Sequence, residues 1–182
     1  MIIGIVGSIA SGKDTVAEYL QKKGFEAVSL SDILREIMRK EGIEVTVPNM
    51  THYGNNLREK FGCDYLAKQA YKKLKGKNAV LTSIRQVGEI EYLRQFSDFT
   101  LLKLDAPIEV RLDRLVKRSR PGDVINLQEM QEIEKKQADG TGGGMNMNKC
   151  FSMAEVEIIN DGSFGDLYKE VDSVVAKLQK KA

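Results

Sequence analysis

The sequence predicts an α/β fold, a five-stranded parallel sheet with helices on both faces, and three observations point to it. Five short apolar runs, "MIIGIV", "EAVSL", "NAVLTSI", "FTLLKLD" and "EVEIIN", are each bounded by turn or charged residues, as strands are. Longer stretches with helical spacing separate them, and such alternation is the mark of a parallel sheet covered on both sides. At 182 residues the chain is long enough for one filled core and too short for two ordinary domains, so residues 1–182 read as a single domain.

The helices are legible in the same way. Ile108, Leu112, Leu115 and Val116 form the apolar stripe of one, and Pro107 sits near its start, where a missing amide costs nothing. Leu167, Val171, Val174, Val175 and Leu178 form the stripe of the last. Gly42 to Asn49 and Ser119 to Asn126 read as irregular flaps.

Composition narrows the function. Apolar residues at 42% and charged residues at 30% are ordinary for a globular chain, and a net charge of +2 makes no electrostatic case for nucleic acid or an anionic membrane. Cys63 and Cys150 lie far apart without metal-ligand spacing, which favours a reduced intracellular protein over a disulfide scaffold. The opening "MIIGIVG" lacks the basic leader of a signal peptide, and no run is long enough to span a bilayer. The expectation is a cytoplasmic protein with no membrane or nucleic-acid partner; the oligomeric state is not legible.

The most informative stretch is "GIVGSIASGKDTVAEYL", residues 4–20. Gly7, Gly12 and Lys13 fall on the spacing G-x-x-x-x-G-K between a strand and a helix. Glycine allows close approach, successive amides then point inward, and the helix N-terminus adds positive potential, so Gly7, Ser8, Ile9, Ala10, Ser11, Gly12 and Lys13 form a candidate phosphate cradle. The hydroxyl residue usual after the lysine, a magnesium ligand, is replaced by Asp14; Asp14 or Thr15 is the candidate metal ligand.

This loop resembles the P-loop of small-molecule kinases, including phage deoxynucleoside monophosphate kinases, in which G-K-D-T occurs. "SLSDILREIM" is similar to the S-T-G-D-x-L-R segment of adenylate kinase and its relatives. Ser31 reads as a helix cap, and the resemblance makes Asp32 and Arg35 acceptor-binding. "VLTSIRQVGEIEYLR" aligns with the D-G-F-P-R segment, which makes Arg85 the second arm of a phosphate clamp and leaves Thr82 and Ser83 where the family has an acid. Arg58 is a third candidate arm. The acceptor-binding helices are expected at about 31–75.

In this family an arginine-bearing lid closes over the triphosphate, and the resemblance places it at about 118–140. Arg111, Arg114 and Arg118 stand opposite the apolar stripe of their helix, with Arg120 following; Arg114 and Arg118 take the catalytic places. Beyond Arg120 the chain has no arginine, whereas adenylate kinase carries two more on the far arm of its lid; either Lys135 and Lys136 substitute there as point charges or that arm's contribution is missing. The loop "IINDGSFGDLY" resembles the segment that touches adenine, so Asn160 and Gly162 border the base, while an Asn-Asp-Gly turn capping a helix accounts for the same letters. His52, near a helix end, reads as structural or exposed rather than catalytic, and "TGGGMNMNKC" has no assigned ligand.

The resemblance therefore implies transfer of the γ-phosphoryl group of ATP, with Mg2+, to a nucleotide-like acceptor, first of all a nucleoside or deoxynucleoside monophosphate. Dephospho-CoA kinase, which shares the fold and a similar "IINDG" ending, is the alternative. A nucleotide-binding sensor with little turnover is the alternative from another class.

Overall fold

The computed structural model describes residues 1–76, 78–118, 126–138 and 145–180. All five expected strands form: β1 Ile2–Val6, β2 Glu26–Ser29, β3 Ala79–Thr82, β4 Phe99–Asp105 and β5 Val156–Ile159. They make one sheet in the order β2-β3-β1-β4-β5, every pairing parallel, with Ile2 in register with Ala79 on one side and Phe99 on the other. The strand that feeds the glycine-rich loop is thus the central one.

Successive side chains of a strand point to opposite faces, and the sequence of β1 suits a sheet buried on both. Ile2 and Val6 enter one core with Leu81 and Leu101; Ile3 and Ile5 enter the other with Val80, Leu102 and Leu104. Each fully buried isoleucine contributes roughly 1.5–3 kcal/mol. Helices α1 (Lys13–Lys22) and α9 (Phe164–Gln179) close the second core through Val16, Leu20, Leu167 and Val171. Helices α2 (Leu30–Lys40), α3 (Val47–Phe61), α4 (Tyr65–Lys73), α5 (Val87–Leu93) and α8 (Met147–Ser152) close the first through Met38, Leu57, Ala70, Leu93 and Cys150. Burial pushes the Cys150 thiol up to about 12, so it stays protonated.

A third, small cluster stands apart from the sheet. Leu115 of α6 (Ile108–Arg118) and Met130 of α7 (Leu127–Ala138) bury against each other, with Ile9 and Ala10 of the glycine loop packed on them.

Several boundaries differ from the sequence reading. Ser29, with extended backbone at φ −98°, caps α2, and Ser31 is buried in its first turn, because β2 passes directly into the helix to place Leu30 in the core. On α6, Ile108, Leu112 and Leu115 of the expected stripe do pack against α7 and the glycine loop, but Val116 is 47% exposed and Arg111, expected on the opposite face, is 5% exposed and joins the packed side. Helix α3 starts at Val47, capped by Thr46, whose Oγ1 accepts from Asn49 N at 3.3 Å, so the irregular stretch is shorter than expected. His52 lies inside α3 beside Asn56 rather than at a helix end. The expectations for Arg120, for residues 119–125 and for residues 139–144 lie outside the described residues. Among the described residues no helix is long and apolar enough to cross a membrane.

Candidate active site

The glycine loop joins β1 to α1, and its two motif glycines are sterically required. A Cβ on Gly7 would lie 2.1 Å from the Leu104 carbonyl oxygen; Gly12 has φ +103°, and a Cβ there would lie 2.4 Å from Asn160 Nδ2. Ala10 holds a left-handed φ of 59°, a strained conformation that the surroundings must impose. Three donors impose it: Arg111 Nη1 to Ile9 O at 3.3 Å, Arg114 Nη1 to Ala10 O at 3.4 Å, and Asn160 Nδ2 to Ser11 O at 2.8 Å. The C=O and N–H of a peptide plane point opposite ways, so holding the carbonyls of Ile9 and Ser11 to one side turns the amides of Ala10 and Gly12 to the other.

Lys13 folds over this loop. Its Nζ donates to Gly7 O at 2.9 Å and Ser8 O at 2.6 Å, with Ser11 Oγ at 3.5 Å. Burial, and then the positive charge of Arg85, push Lys13 down to about 8, against the pull of Asp14. The ammonium gives up its proton more readily than a free lysine does, and it already sits on two peptide carbonyl oxygens.

A cleft of about 360 Å³ opens above the loop, floored by Ala10, Gly12 and Lys13 and walled by Asp14, Thr15, Arg114, Arg118 and Asn160. A depression of about 400 Å³ along β5, among Lys103, Phe151 and Glu157, is larger. Its Lys103 and Glu157 already pair at 2.6 Å, which leaves little charge for a ligand. No group of three or more metal-ligating His, Cys, Asp or Glu occurs among the described residues. Magnesium in phosphate sites needs only one or two protein oxygens besides phosphate and water, and the Asp14 carboxylate and Thr15 hydroxyl at the cleft fit that requirement.

A second group of charges gathers beyond the ends of β2 and β3. Arg85, half-buried after β3, is held below its usual range by burial and by the charges of Arg58 and Arg35, with Glu89 acting the other way. Among the described residues its Nη1 donates to the Met145 thioether, at 3.5 Å. Arg58 Nη1 donates to Asn55 Oδ1 at 3.1 Å, while its Nε is buried without a partner among the described residues. Arg35 pairs with Asp32 at 2.6 Å, the two side chains 38% and 70% exposed. Thr82 is buried, and Ser83 takes a left-handed φ of 61° with its Oγ 3.2 Å from Ser29 Oγ.

The expected residues thus fall in two groups, Lys13, Asp14, Thr15, Arg114, Arg118 and Asn160 at the cleft and Arg35, Arg58 and Arg85 beside it, linked by the charge of Arg85 on Lys13. Gly162 packs toward Asp166, and Ser163 with Asp166 forms the cap of α9, so the Asn-Asp-Gly turn is not the cap. Four features escaped the sequence reading. Arg111 is a buried strut, paired with Glu134 and donating to Ala106 O at 2.8 Å. Glu89, 1% exposed and raised by burial, accepts from Arg85 N at 2.7 Å and Gln86 N at 3.1 Å; its signal was the Q-x-x-E spacing of a helix start. The side-chain amide of Asn160 belongs to the loop, and Phe164 lines the cleft.

Comparison with known proteins agrees with this architecture. Residues 3–137 match the AAA domain family. A UPF0200 protein of Thermococcus gammatolerans is 31% identical, covering 98% of this chain and 95% of that protein, and one of Methanothrix thermoacetophila is 31% identical, covering 97% of each. A UPF0200/UPF0201 protein of Archaeoglobus fulgidus is 30% identical over 98% of this chain, which spans 56% of that longer protein. Among solved structures, shikimate kinase from Aquifex aeolicus superposes with a TM-score of 0.60 at 18% identity, covering 100% of this chain and 98% of that one. A gluconokinase from Sinorhizobium meliloti superposes with a TM-score of 0.60 at 14% identity, covering 98% and 93%. The sheet order, the loop and these neighbours define a P-loop kinase-type fold, and the chain belongs to the AAA domain family as a member of the UPF0200 proteins.

Proposed function

We propose that the chain is an ATP- and magnesium-dependent phosphotransferase acting on a nucleotide-like acceptor, with nucleoside and deoxynucleoside monophosphates first among candidates. The observation that supports this most is the pairing of a phosphate cradle with a separate arginine group, close enough that Arg85 depresses Lys13. A protein that only bound ATP has no need of the second group.

In the reaction an acceptor oxygen attacks the γ-phosphorus of ATP, and the bond from that phosphorus to the β–γ bridging oxygen breaks, its electron pair leaving with ADP. A dianionic phosphate acceptor has no proton to lose, so positioning and charge compensation suffice. Lys13 exchanges its contacts with Gly7 O and Ser8 O for phosphate oxygens. Arg35, Arg58 and Arg85 hold the acceptor's anionic group by charge-assisted bonds. Arg114 fixes the loop and, with Arg118, offsets charge on the transferring group. Magnesium supplies charge neutralisation and orients the phosphate chain; Asp14 and Thr15 are the residues that would hold it.

The test is transfer itself. The purified chain is incubated with ATP, Mg2+ and each ribo- and deoxyribonucleoside monophosphate, dephospho-CoA, shikimate and gluconate in turn, the last two because fold neighbours carry those names, and products are weighed by mass spectrometry. One strongly preferred monophosphate is the expected result. Preference for dephospho-CoA or a hydroxy acid reassigns the acceptor, and tight ATP binding with no transfer to any of them replaces the kinase by a nucleotide sensor.

A further inference from the structure

The stretch from Met145 to Cys150, to which the sequence assigns no ligand, is fastened to one arm of the arginine group. Asn146 N donates to Arg85 O at 3.3 Å, and Asn146 Oδ1 caps α8 by accepting from Lys149 N at 3.2 Å. Further along α8, Met147 and Cys150 are buried, Cys150 in the first core. A single peptide links Asn146 to Met145, so the main chain at Met145 is fixed beside Arg85. Glu89 of α5 accepts from Arg85 N at 2.7 Å. Both backbone groups of Arg85 are thus held, one by α5 and one by the start of α8.

The guanidinium of Arg85 is held far less well. Its Nη1 donates, among the described residues, to the Met145 thioether at 3.5 Å, and Arg35 and Arg58 add like charge around it. A thioether is a weak acceptor, whereas a guanidinium carries five donors in a fork that matches oxyanions. An anion that replaces the sulfur therefore gains a charge-assisted contact and loses a weak one. Methionine is unbranched with three rotatable bonds, and Met145 is half-buried instead of sealed in the core. Its sulfur can swing aside at low cost while its main chain stays in place. A fixed backbone carrying a loose, weakly bonded tip has the form of a plug that a stronger ligand displaces.

We propose that Met145 is the resident occupant of the arginine group: in the empty site its thioether takes the position on Arg85 that the phosphate of an incoming acceptor takes over. This rests on reading the arginine group as the acceptor's site. Because the sulfur must leave first, Met145 holds the affinity for that phosphate down.

Inorganic phosphate is the probe, titrated into the whole chain with the cradle filled by Mg2+ and β,γ-imido-ATP, and with chloride at equal ionic strength as the blank. The methyl spectrum of carbon-labelled methionines reports on the plug, the Met145 signal being the one missing from Met145→Leu. Calorimetry reports phosphate affinity. The Met145 methyl signal should shift as phosphate saturates and stay still in Arg85→Ala. Met145→Ala should bind phosphate about two- to tenfold tighter, the worth of one modest hydrogen bond, with the affinity for β,γ-imido-ATP unchanged. Met145→Leu, which keeps the bulk without the sulfur, should fall between. Phosphate that binds through Arg85 while the methyl signal stays still overturns the proposal, and so does phosphate bound no tighter by Met145→Ala than by the wild type. Either result is what plain packing of a methionine against an arginine would give. Phosphate binding that is absent, or unaltered by Arg85→Ala, sinks the acceptor-site reading together with this one. The expected pattern without transfer to any acceptor sinks only the kinase reading.

Discussion

The two halves of the candidate site are built on opposite plans. In the glycine loop every carbonyl from Gly7 to Ser11 has a partner: Lys13 for Gly7 and Ser8, Arg111 for Ile9, Arg114 for Ala10 and Asn160 for Ser11. In the arginine group the guanidiniums are under-used, with Arg85 Nη1 on a thioether, Arg58 Nε unpartnered among the described residues, and Arg35 tied to its exposed neighbour Asp32. A thioether is a weak acceptor, and an unmet buried donor gains most when an anion arrives. On the reaction proposed above, the donor side is organised before any ligand binds, and the acceptor side is completed by its ligand.

Breaking the loop should have the largest effect. Lys13→Met is expected to weaken ATP binding about a hundredfold or more, since several charge-assisted bonds of about 1.5–3 kcal/mol each are lost, with the circular dichroism spectrum unchanged. An equal loss of acceptor affinity in that variant would mean the halves are not separate. Gly7→Ala drives a methyl into the Leu104 carbonyl. It should lower stability by about 1–3 kcal/mol in urea titrations and ATP affinity with it, as overpacking against backbone does. Arg85→Ala and Arg35→Ala should raise the acceptor KM about tenfold or more while leaving the ATP KM within about threefold. Matching changes in both constants would undo the contrast.

Acidity separates the halves more gently. Lys13 holds its proton more weakly in the folded chain, at about 8 against 10.5. Phosphate binding needs the ammonium, so above pH 8 the ATP Kd should rise by up to about tenfold per unit, until the pKa of the complex is passed. Arginines stay charged throughout, and the acceptor KM should be flat over the same range. The depressed value also means that the folded chain gives up this proton before the unfolded chain does. The Lys13 contribution to stability therefore improves as pH rises from about 8 to 10.5, and the difference from Lys13→Met in urea titrations should show that slope. The smallest effect is expected for Glu89→Gln, which keeps an acceptor for the amides of Arg85 and Gln86 but removes the charge facing Arg58 and Arg85. A few-fold change in acceptor KM with unchanged ATP KM is the expected outcome, as coupling of this kind typically gives.

The fold was legible because the inner strands β1 and β3 are apolar runs buried on both faces, and the loop because its glycines are demanded by short contacts that only glycine meets. What escaped was tertiary. Arg111 lies four residues before Leu115 and so shares its face, yet a charged residue reads as solvated until its partners are known. Those partners are 23 and 102 residues away, at Glu134 and Ile9. The amide of Asn160 meets Ser11 across 149 residues, and local letters suggested only a turn or a base contact. Serine favours the helix-cap place, which is why Ser31 reads as the cap, but the direct passage from β2 into α2 puts Ser29 at the N-cap position, without a side-chain cap bond.

The small cluster of Leu115, Met130, Ile9 and Ala10 makes the α6–α7 pair and the glycine loop one mechanical body. The pair grips the loop by apolar surface and again by the struts of Arg111 and Arg114 on two of its carbonyls. A lever attached in this way cannot swing without tugging on the backbone that would hold the phosphates. On the proposed reaction, grip on the triphosphate would follow the angle of the helical arm, and a substitution that loosens Met130 should be felt as slack at the loop.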